Sequence, residues 1–206
     1  MKAAEAAETI NEAAEAHETA RGREESFRKR VAVFVGVLAM LLAIVEVGGE
    51  NAGKEMVFNN VQAANTWAFY QAKTIRRTST QIAAADMEAL MLAVPGMPDE
   101  AKAEIRKRAE RYKADAARYE SEPDTGEGRK ELFKKARDFE AARNDAIARD
   151  PYFDLSKAFF QIAIVLASVA IVATSPPLAA FAALLGGVAT LLGVNGFFMF
   201  VDLGLH

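Results

Sequence analysis

The sequence predicts an all-α membrane protein with three transmembrane helices and a long, coiled-coil-like antiparallel helical hairpin outside the bilayer. Charge is segregated along the chain: residues 31–49 carry one charged side chain, Glu46, and residues 158–206 carry one, Asp202. The segments outside these two are densely charged and contain long stretches without proline. A soluble domain mixes apolar and charged residues at every turn, so separate blocks indicate apolar spans joined to an aqueous domain.

The composition disfavours several classes of function. A net charge of −3 argues against a strongly basic nucleic-acid binder, and Glu110 interrupts the basic run at residues 106–113. The absence of cysteine excludes disulfides, thiolate metal sites and cysteine catalysis. The sequence has no phosphate-binding glycine loop, no serine-hydrolase motif and no zinc-protease motif. We therefore expect no enzymatic activity, no cofactor, no metal site and no nucleic-acid partner.

Residues 1–30 are predicted to form an Ala/Glu-rich N-terminal helix. Glutamates recur at helical spacing and mark one acidic face, at Glu5, Glu8, Glu12, Glu15 and Glu18. The opposite face is mostly alanine, which is too small to build a core. We expect a solvated helix that extends the first span, and the alternative is a docking arm for a basic partner.

Residues 31–47 are predicted to form transmembrane helix 1. These 17 residues give about 26 Å of helix, close to the hydrocarbon thickness of about 30 Å. A signal peptide is the alternative. It is disfavoured because the preceding segment is long and rich in Glu and Ala rather than short and basic.

Residues 48–157 are predicted to form the hairpin outside the bilayer. Gly48-Gly49 is expected to break the chain, after which residues 51–94 form an outgoing helix about 66 Å long. Its small apolar stripe is expected to pack within the hairpin, at Val57, Val61, Ala64, Ala68, Ala72, Ile75, Ser79 and Ile82. One partner helix cannot cover all the alanines, so self-association is a further hypothesis.

The return limb is predicted as two helices, 99–121 and 127–149. Pro95-Gly96-Met97-Pro98 forms the turn before them, and Asp99 is expected to cap the first helix. Each has about 23 residues and about 35 Å of length, so end to end they match the outgoing helix.

Residues 158–174 and 178–201 are predicted to form transmembrane helices 2 and 3, separated by Pro176-Pro177 in a tight turn. Positive residues cluster just before the first span, whereas Lys54 has no basic neighbour for the next 18 residues. This asymmetry favours a cytoplasmic N-terminus and a hairpin across the membrane, with the two termini on opposite sides. Glycines in the third span indicate close helix packing, and a gate is the alternative: Gly186, Gly187, Gly193 and Gly196.

Polar residues near the span ends are the first candidate site. Glu46 lies inside the end of a span, and ionisable residues there are functional candidates. Lys157 enters the second span on the same predicted side, so a Glu46–Lys157 pair is expected to join two spans. Gln161 and Asn195 are candidate polar neighbours. Interfacial exposure of Glu46 and ion or proton handling are the alternatives.

Aromatic residues of the outgoing helix are the second candidate site. Phe58, Trp67, Phe69 and Tyr70 form a candidate interaction surface, because aromatic side chains are favoured anchors of protein interfaces. Packing in the hairpin core or between subunits is the alternative. Tyr152 and Phe153 lie where membrane-interface aromatics are expected, just before the second span.

Two segments, NNVQAANTWAFYQAKTIRRTS at 59–79 and RDPYFDLSKAFFQIAIVLASVAIV at 149–172, resemble a bacterial membrane-protein family described as domain of unknown function 4337. The order of parts is also similar across most of the chain. The resemblance implies bacterial origin and residence in a membrane. It implies no activity and no catalytic residues.

The expected function is that of a non-enzymatic scaffold or accessory subunit in the bacterial inner membrane. Its hairpin would serve self-association, or docking to a larger membrane protein complex. The alternative is a subunit of a channel or transport assembly, with Glu46, Lys157, Gln161 and Asn195 as a polar cluster. An enzyme is the third possibility.

Overall fold

The computed structural model describes the backbone of residues 2–204 and the side chains of residues 17–204. Within this part there are four helices and no strand: α1 Lys2–Ala93, α2 Asp99–Glu120, α3 Arg129–Ala173 and α4 Pro176–Phe198. The all-α prediction is confirmed for these residues. The side chains of the acidic stripe before Glu18, and His206, lie outside the described residues.

The described residues form two compact units. The first unit, here the terminal unit, contains the residues up to Gly53 and those from Ile147 onward. The second unit, here the central unit, is Lys54–Ala146. Helices α1 and α3 contribute residues to both.

The predicted helix break at Gly48-Gly49 is wrong, because α1 continues through both glycines. The glycines instead provide space for neighbouring side chains. A Cβ on Gly48 would lie 2.6 Å from the Phe197 ring, and a Cβ on Gly49 would lie 2.5 Å from Lys157 Nζ. Glycine lowers helix stability by about 1 kcal/mol relative to alanine, a cost that tertiary packing at this position can outweigh.

The predicted break between residues 149 and 158 is also wrong. α3 runs without interruption from Arg129 to Ala173 and contains Pro151. Proline removes one backbone hydrogen bond and disfavours helix, but Tyr152 and Phe153, which follow it, are 1% and 2% exposed. Burial of these aromatics stabilises the helix where local sequence disfavours it.

The N-terminal cap of α2 differs from the simple sequence rule, whereas α4 begins with proline as the rule expects. Pro98, rather than Asp99, is the N-cap of α2, and it makes no side-chain capping hydrogen bond. Asp99 and Glu100 lie in the first turn, where negative charge favours the helix dipole. Thr174 takes a positive φ of 48° between α3 and α4, and Pro176 begins α4.

Small residues, together with the buried rings of Phe153 and Phe160, fill the core of the terminal unit. On α1 the buried hydrophobic side chains of this unit repeat every seven residues, at Val31, Leu38, Val45 and Ala52. Buried alanines on α3 and buried small residues on α4 follow helical spacing, at Ala163, Ala167, Ala170, Ala182, Gly186, Ala189, Gly193 and Gly196. The Ser156 hydroxyl donates to the Ala189 carbonyl at 2.7 Å. Small residues let helix backbones approach closely, as predicted for three of the four glycines.

Three helices in the described part of the chain are long and apolar enough to cross a membrane: α1, α3 and α4. Their outward faces are apolar as well as their cores, because Val33, Val165 and Leu184 are exposed. A helix that is apolar on all sides is typical of a membrane environment or of a large core.

In the central unit, α1 contacts α2 and the first part of α3. The residue numbers of the contacting partners increase along α1 and decrease along α3 and α2. The pairs are Asn60–Arg143, Trp67–Glu140, Thr74–Arg129, Arg77–Glu120 and Glu88–Lys113. The contacting segments therefore run in opposite directions.

The predicted packing face of α1 in this unit is wrong. The buried residues are Asn59, Ala63, Thr66, Lys73 and Ala84. The apolar stripe expected there is exposed, with Val57 at 58%, Val61 at 50%, Ile75 at 66% and Ile82 at 56%. The segments that face α1 bury apolar residues such as Ala109, Leu132 and Ala136, and they also place glutamates against Lys73 and Arg77 of α1. Small residues and paired polar groups of α1 therefore fill this face, and the apolar stripe turns outward.

Candidate functional site

The predicted Glu46–Lys157 pair is not formed in the described structure. Lys157 Nζ lies 3.1 Å from Asp154 Oδ1 on its own helix, and the lysine chain lies against Gly49. Glu46 is exposed. The position of Lys157 therefore follows from the space that Gly49 leaves, which the charge pattern did not indicate.

Gln161 and Asn195 do not share a cluster with these residues either. Gln161 is exposed. Asn195 bonds both backbone groups of Val201: its Nδ2 donates to the carbonyl at 2.7 Å, and its Oδ1 accepts from the N–H at 2.9 Å. This side chain imitates a peptide group and holds the segment that follows α4.

Tyr152 holds the same segment from α3. Its hydroxyl donates to the Val201 carbonyl at 3.3 Å and accepts from the Leu203 N–H at 2.7 Å. The ring is buried, so the expected interfacial position of Tyr152 is replaced by a position in the core. We refer to Tyr152 and Asn195 as the tail clamp. Its polar groups bond to backbone, which is a structural role.

The predicted aromatic surface divides into two parts. Trp67 and Tyr70 contact each other and Phe133 of α3, with ring centroids 5.4 Å apart for Trp67–Tyr70 and for Trp67–Phe133. These edge-on contacts stabilise packing beyond burial alone. Phe58 and Phe69 remain outward, at 58% and 37% exposed.

The indole of Trp67 also binds a carboxylate. Its Nε1 donates to Glu140 Oε1 at 2.8 Å, and Arg137 donates to the other oxygen at 3.0 Å. The hydrogen bond from Trp67 is the main cause that lowers the pKa of Glu140 below 4.5, and Arg137 adds to it. The ionised form of Glu140 is thus the form that the fold favours.

Arg129 connects three helices of the central unit. Its guanidinium donates to Thr74 Oγ1 at 2.9 Å, Tyr70 Oη at 2.8 Å and Glu120 Oε2 at 2.6 Å. Burial acts to lower the Arg129 pKa, but the bonds to Tyr70 and Glu120 together raise it. The planar fork of donors suits this arrangement, which a lysine could not reproduce.

Lys73 is a buried cation of the central unit, with a side chain 6% exposed. The sequence analysis did not identify it as a candidate residue. Its Nζ lies 3.5 Å from Glu122 and 3.6 Å from Glu127 in the α2–α3 connection. It also lies 5.4 Å from the Phe69 ring centre. The sequence pattern that could have indicated this packing face of α1 is a series of polar residues with seven-residue spacing: Asn59, Thr66, Lys73 and Thr80.

The α2–α3 connection is fixed by Glu131. This carboxylate accepts from Ser121 Oγ at 2.7 Å and from the Glu122 N–H at 3.2 Å. The Ser121 hydrogen bond is the main cause that lowers the Glu131 pKa. Gly128 is buried against Glu131 and the Glu122 backbone, where a Cβ would overlap both. The α2–α3 connection is therefore a closely packed, hydrogen-bonded turn rather than an open loop.

The main groove of the central unit lies between α1 and α2. Its charged lining residues pair with one another, Arg77 with Glu120 at 3.0 Å and Lys113 with Glu88 at 2.6 Å. Among the described residues, no three His, Asp or Glu side chains are placed to hold a metal ion. The groove therefore offers a charged ligand little unpaired charge, and its chemistry is that of helix packing.

Comparison with known proteins gives one match. No curated protein and no solved structure matches the chain. A family model, described as Domain of unknown function (DUF4337), matches residues 27–199. This range covers most of the 206 residues, including both segments on which the resemblance was based, so that prediction is confirmed. The chain belongs to the family of proteins with the domain of unknown function DUF4337.

Proposed function

We propose that this protein is a non-enzymatic integral membrane scaffold or accessory subunit. The observation that carries the proposal is the outward face of α1 in the central unit, where Val61, Ile75 and Ile82 are exposed. Exposed apolar patches larger than a few hundred Å² are rare on soluble surfaces and mark interaction sites. The apolar lengths of α1, α3 and α4 support insertion in a bilayer.

In this proposal α1, α3 and α4 each cross the bacterial inner membrane once. The central unit is an antiparallel helical hairpin outside the bilayer that serves self-association or docking. The basic cluster at residues 21–30 supports a cytoplasmic N-terminal side and a periplasmic hairpin. Charges that are paired within the central unit, such as Arg129 with Glu120, favour a rigid structural role for this unit over a reactive site.

The channel alternative has less support. It relied on a polar cluster at the span ends, but Lys157 pairs with Asp154 and Asn195 bonds the Val201 backbone. A selectivity filter or pore needs polar groups directed into a shared path. These side chains direct their polar atoms to neighbours on the protein itself.

Affinity purification of the tagged chain from native membranes in mild detergent tests the proposed function. We expect an assembly heavier than the monomer, made of further copies or of other membrane proteins. An unrelated membrane protein with the same tag, expressed at the same level, is the control. A chain that purifies as a monomer with nothing enriched over the control would contradict the proposal.

A further inference from the structure

The exposed apolar face of α1 in the central unit forms a continuous seam. We define the outer stripe as the seven apolar positions with helical spacing on this face, all of them exposed: Val57, Val61, Ala64, Ala68, Ile75, Ile82 and Ala89. From Val61 to Ala89 the positions repeat at every seventh residue, over four steps. A seven-residue repeat is the period of a helix that packs along another helix in a coiled coil.

The stripe does not have the composition of a solvated helix face. Between residues 56 and 89 the charged residues are Lys73, Arg76, Arg77, Asp86 and Glu88. Lys73 and Arg77 pair with glutamates of the central unit, at 3.5 Å and 3.0 Å, and Glu88 pairs with Lys113 at 2.6 Å. Arg76 and Asp86 are therefore the charged residues that the outward face retains, whereas the exposed face of α2 carries charge in every turn.

We propose that the outer stripe packs against the outer stripe of a second copy of this chain, in a parallel and in-register pair. This inference rests on the proposed function and names the partner of the same surface. The stripe has no complementary charges for an ionic partner, and its alanines allow two helices to approach closely. Another copy supplies the same heptad period over the same length.

Register favours the parallel pair. Gln71 and Thr78 occupy exposed positions between the stripe residues. In a parallel pair each meets its own equivalent, so two Gln71 amides can bond to each other. An antiparallel pair that overlaps the whole stripe sets Gln71 against an isoleucine of the partner. An unpaired amide against an apolar side chain costs about 1–3 kcal/mol, so the parallel register is favoured.

The size of the seam fits a dimer of this chain whose association is favoured by confinement of both copies to the membrane. Residues 57–89 span about 48 Å, and a contact about 10 Å wide gives roughly 480 Å² per copy. The total of roughly 960 Å² lies below the 1,200 Å² typical of stable interfaces between free proteins. Confinement of both copies to one bilayer raises their effective concentration and compensates for a small interface.

A membrane surface is the competing occupant of the stripe. Helices that lie on a bilayer carry many Lys or Arg along the polar flank. The flanks of this stripe carry few basic residues, with Asn65, Ser79 and Gln81 beside it, Arg76 as the basic exception, and the acidic Asp86 and Glu88 near its end. The composition therefore favours a protein helix as the partner.

Disulfide crosslinking in native membranes tests the pair, because the chain contains no cysteine. Three single substitutions on the stripe, Ala68→Cys, Ile75→Cys and Ile82→Cys, are compared with Ala114→Cys, an exposed alanine of α2. We expect homodimers at all three stripe positions, roughly tenfold above the control, because the seam holds equivalent residues together. Crosslinking at Ile75→Cys but not at the other two would contradict the parallel register.

Ile75→Glu provides a second readout, since two carboxylates would face each other in the seam. Ile75 is exposed within the chain, so the fold should tolerate the change, and Ala114→Glu is the control. We expect the homodimer to dissociate in native mass measurement for Ile75→Glu and to persist for Ala114→Glu. A homodimer that persists in both variants would overturn the inference.

The two proposals can fail separately. If the stripe thiols crosslink to a chain of different mass, or stay reduced while other membrane proteins still co-purify, the second copy is ruled out and the scaffold function stands. If lipid-phase probes quench a label at Ile75→Cys and no dimer forms, the stripe lies on the membrane and the inference is wrong. A monomer with no enriched partner contradicts both proposals.

Discussion

At the scale of single residues, Trp67 and Glu140 make the stability of the central unit depend on pH. The indole N–H donates to the carboxylate at 2.8 Å, and such a bond is stronger to an ionised acceptor than to a neutral one. The pKa of Glu140 in the folded chain is lowered from its ordinary value of 4.5. Its contribution to stability is therefore present above pH 4.5 and is lost as the pH falls through the folded value.

We expect Glu140→Gln to lower the stability at neutral pH and to weaken the loss of stability on acidification below pH 4.5. Glutamine retains an acceptor for the indole but does not titrate. The fluorescence of Trp67, which is the single tryptophan of the chain, reports unfolding by denaturant at each pH. Glu104→Gln, at an exposed pair with Arg108, is the control and should behave like the wild type.

Arg129 provides a second test at this scale. Arg129→Lys keeps the charge but cannot reach Thr74, Tyr70 and Glu120 together, as the guanidinium does. We expect a loss of about 2 kcal/mol in the free energy of unfolding, the size of a charge-assisted bond lost from a partly buried site. Denaturant unfolding followed by Trp67 fluorescence measures it.

Arg137→Lys is the matched control for Arg129→Lys. Arg137 has an exposed side chain and an ion pair with Glu140 on its own helix. Exposed pairs of this kind contribute about 0.3–0.5 kcal/mol. If both variants lost the same stability, the role of Arg129 in connecting three helices would be wrong.

The candidate sites show what residue patterns can and cannot indicate. Asn195 and Lys157 were identified as polar residues near span ends, and both make defined bonds. Their partners, the Val201 backbone and Asp154, could not be inferred. A backbone acceptor has no signature in the sequence, and the charge pattern does not record that Gly49 leaves room for the Lys157 chain.

At the scale of helices, periodicity identified the stripe of α1 but not the face that packs inside the chain. Val61 and Ile75 are exposed, whereas Asn59 and Lys73 are buried. Both sets have helical spacing. The choice between them depends on the segments that face α1, such as the α2–α3 connection, where Glu122 and Glu127 pair with Lys73. Such long-range pairings are not recorded in the local pattern of one helix.

The glycines of α4 give a matched pair of substitutions. A Cβ on Gly193 would lie 2.8 Å from Val45 and 3.0 Å from the Ser156 hydroxyl, whereas a Cβ on Gly187 meets nothing within 4 Å. We expect Gly193→Ala to destabilise by about 1–3 kcal/mol through overpacking. Gly187→Ala should leave stability unchanged or raise it by up to about 1 kcal/mol.

Thermal unfolding in detergent, followed by circular dichroism, compares these two variants. Both alanines carry the same gain in helix propensity, so the difference between their melting temperatures isolates the contact at Gly193. Equal melting temperatures would show that the α1–α4 packing around Gly193 is not close.

The tail clamp predicts local protection of the segment that follows α4. Tyr152→Phe removes the hydroxyl that bonds Val201 and Leu203. Loss of a bond of about 1 kcal/mol should speed amide hydrogen exchange of this segment about fivefold. Exchange followed by mass spectrometry measures it, and Tyr112→Phe on α2 is the control. Unchanged amide exchange in Tyr152→Phe would show that the tail clamp does not protect this segment.

At the scale of the whole molecule, the proposed topology depends on how many times the chain crosses the bilayer. Three crossings by α1, α3 and α4 would place the residues before α1's apolar segment and those of the central unit on opposite sides. The residues that follow α4 would then share a side with the central unit. Short flanking segments set this orientation, because basic residues resist transfer to the periplasm.

Labelling of single cysteines in intact bacterial cells tests this topology. Asp124→Cys lies in the α2–α3 connection, Ala20→Cys precedes the first apolar segment, and both positions are exposed. We expect a maleimide that cannot cross the inner membrane, but enters the periplasm, to label Asp124→Cys in intact cells. Ala20→Cys should react only after the cells are lysed, and Leu203→Cys should be labelled in intact cells like Asp124→Cys. Labelling of Ala20→Cys before lysis would reverse the orientation. Labelling of Leu203→Cys only after lysis would show that the chain does not cross the bilayer three times.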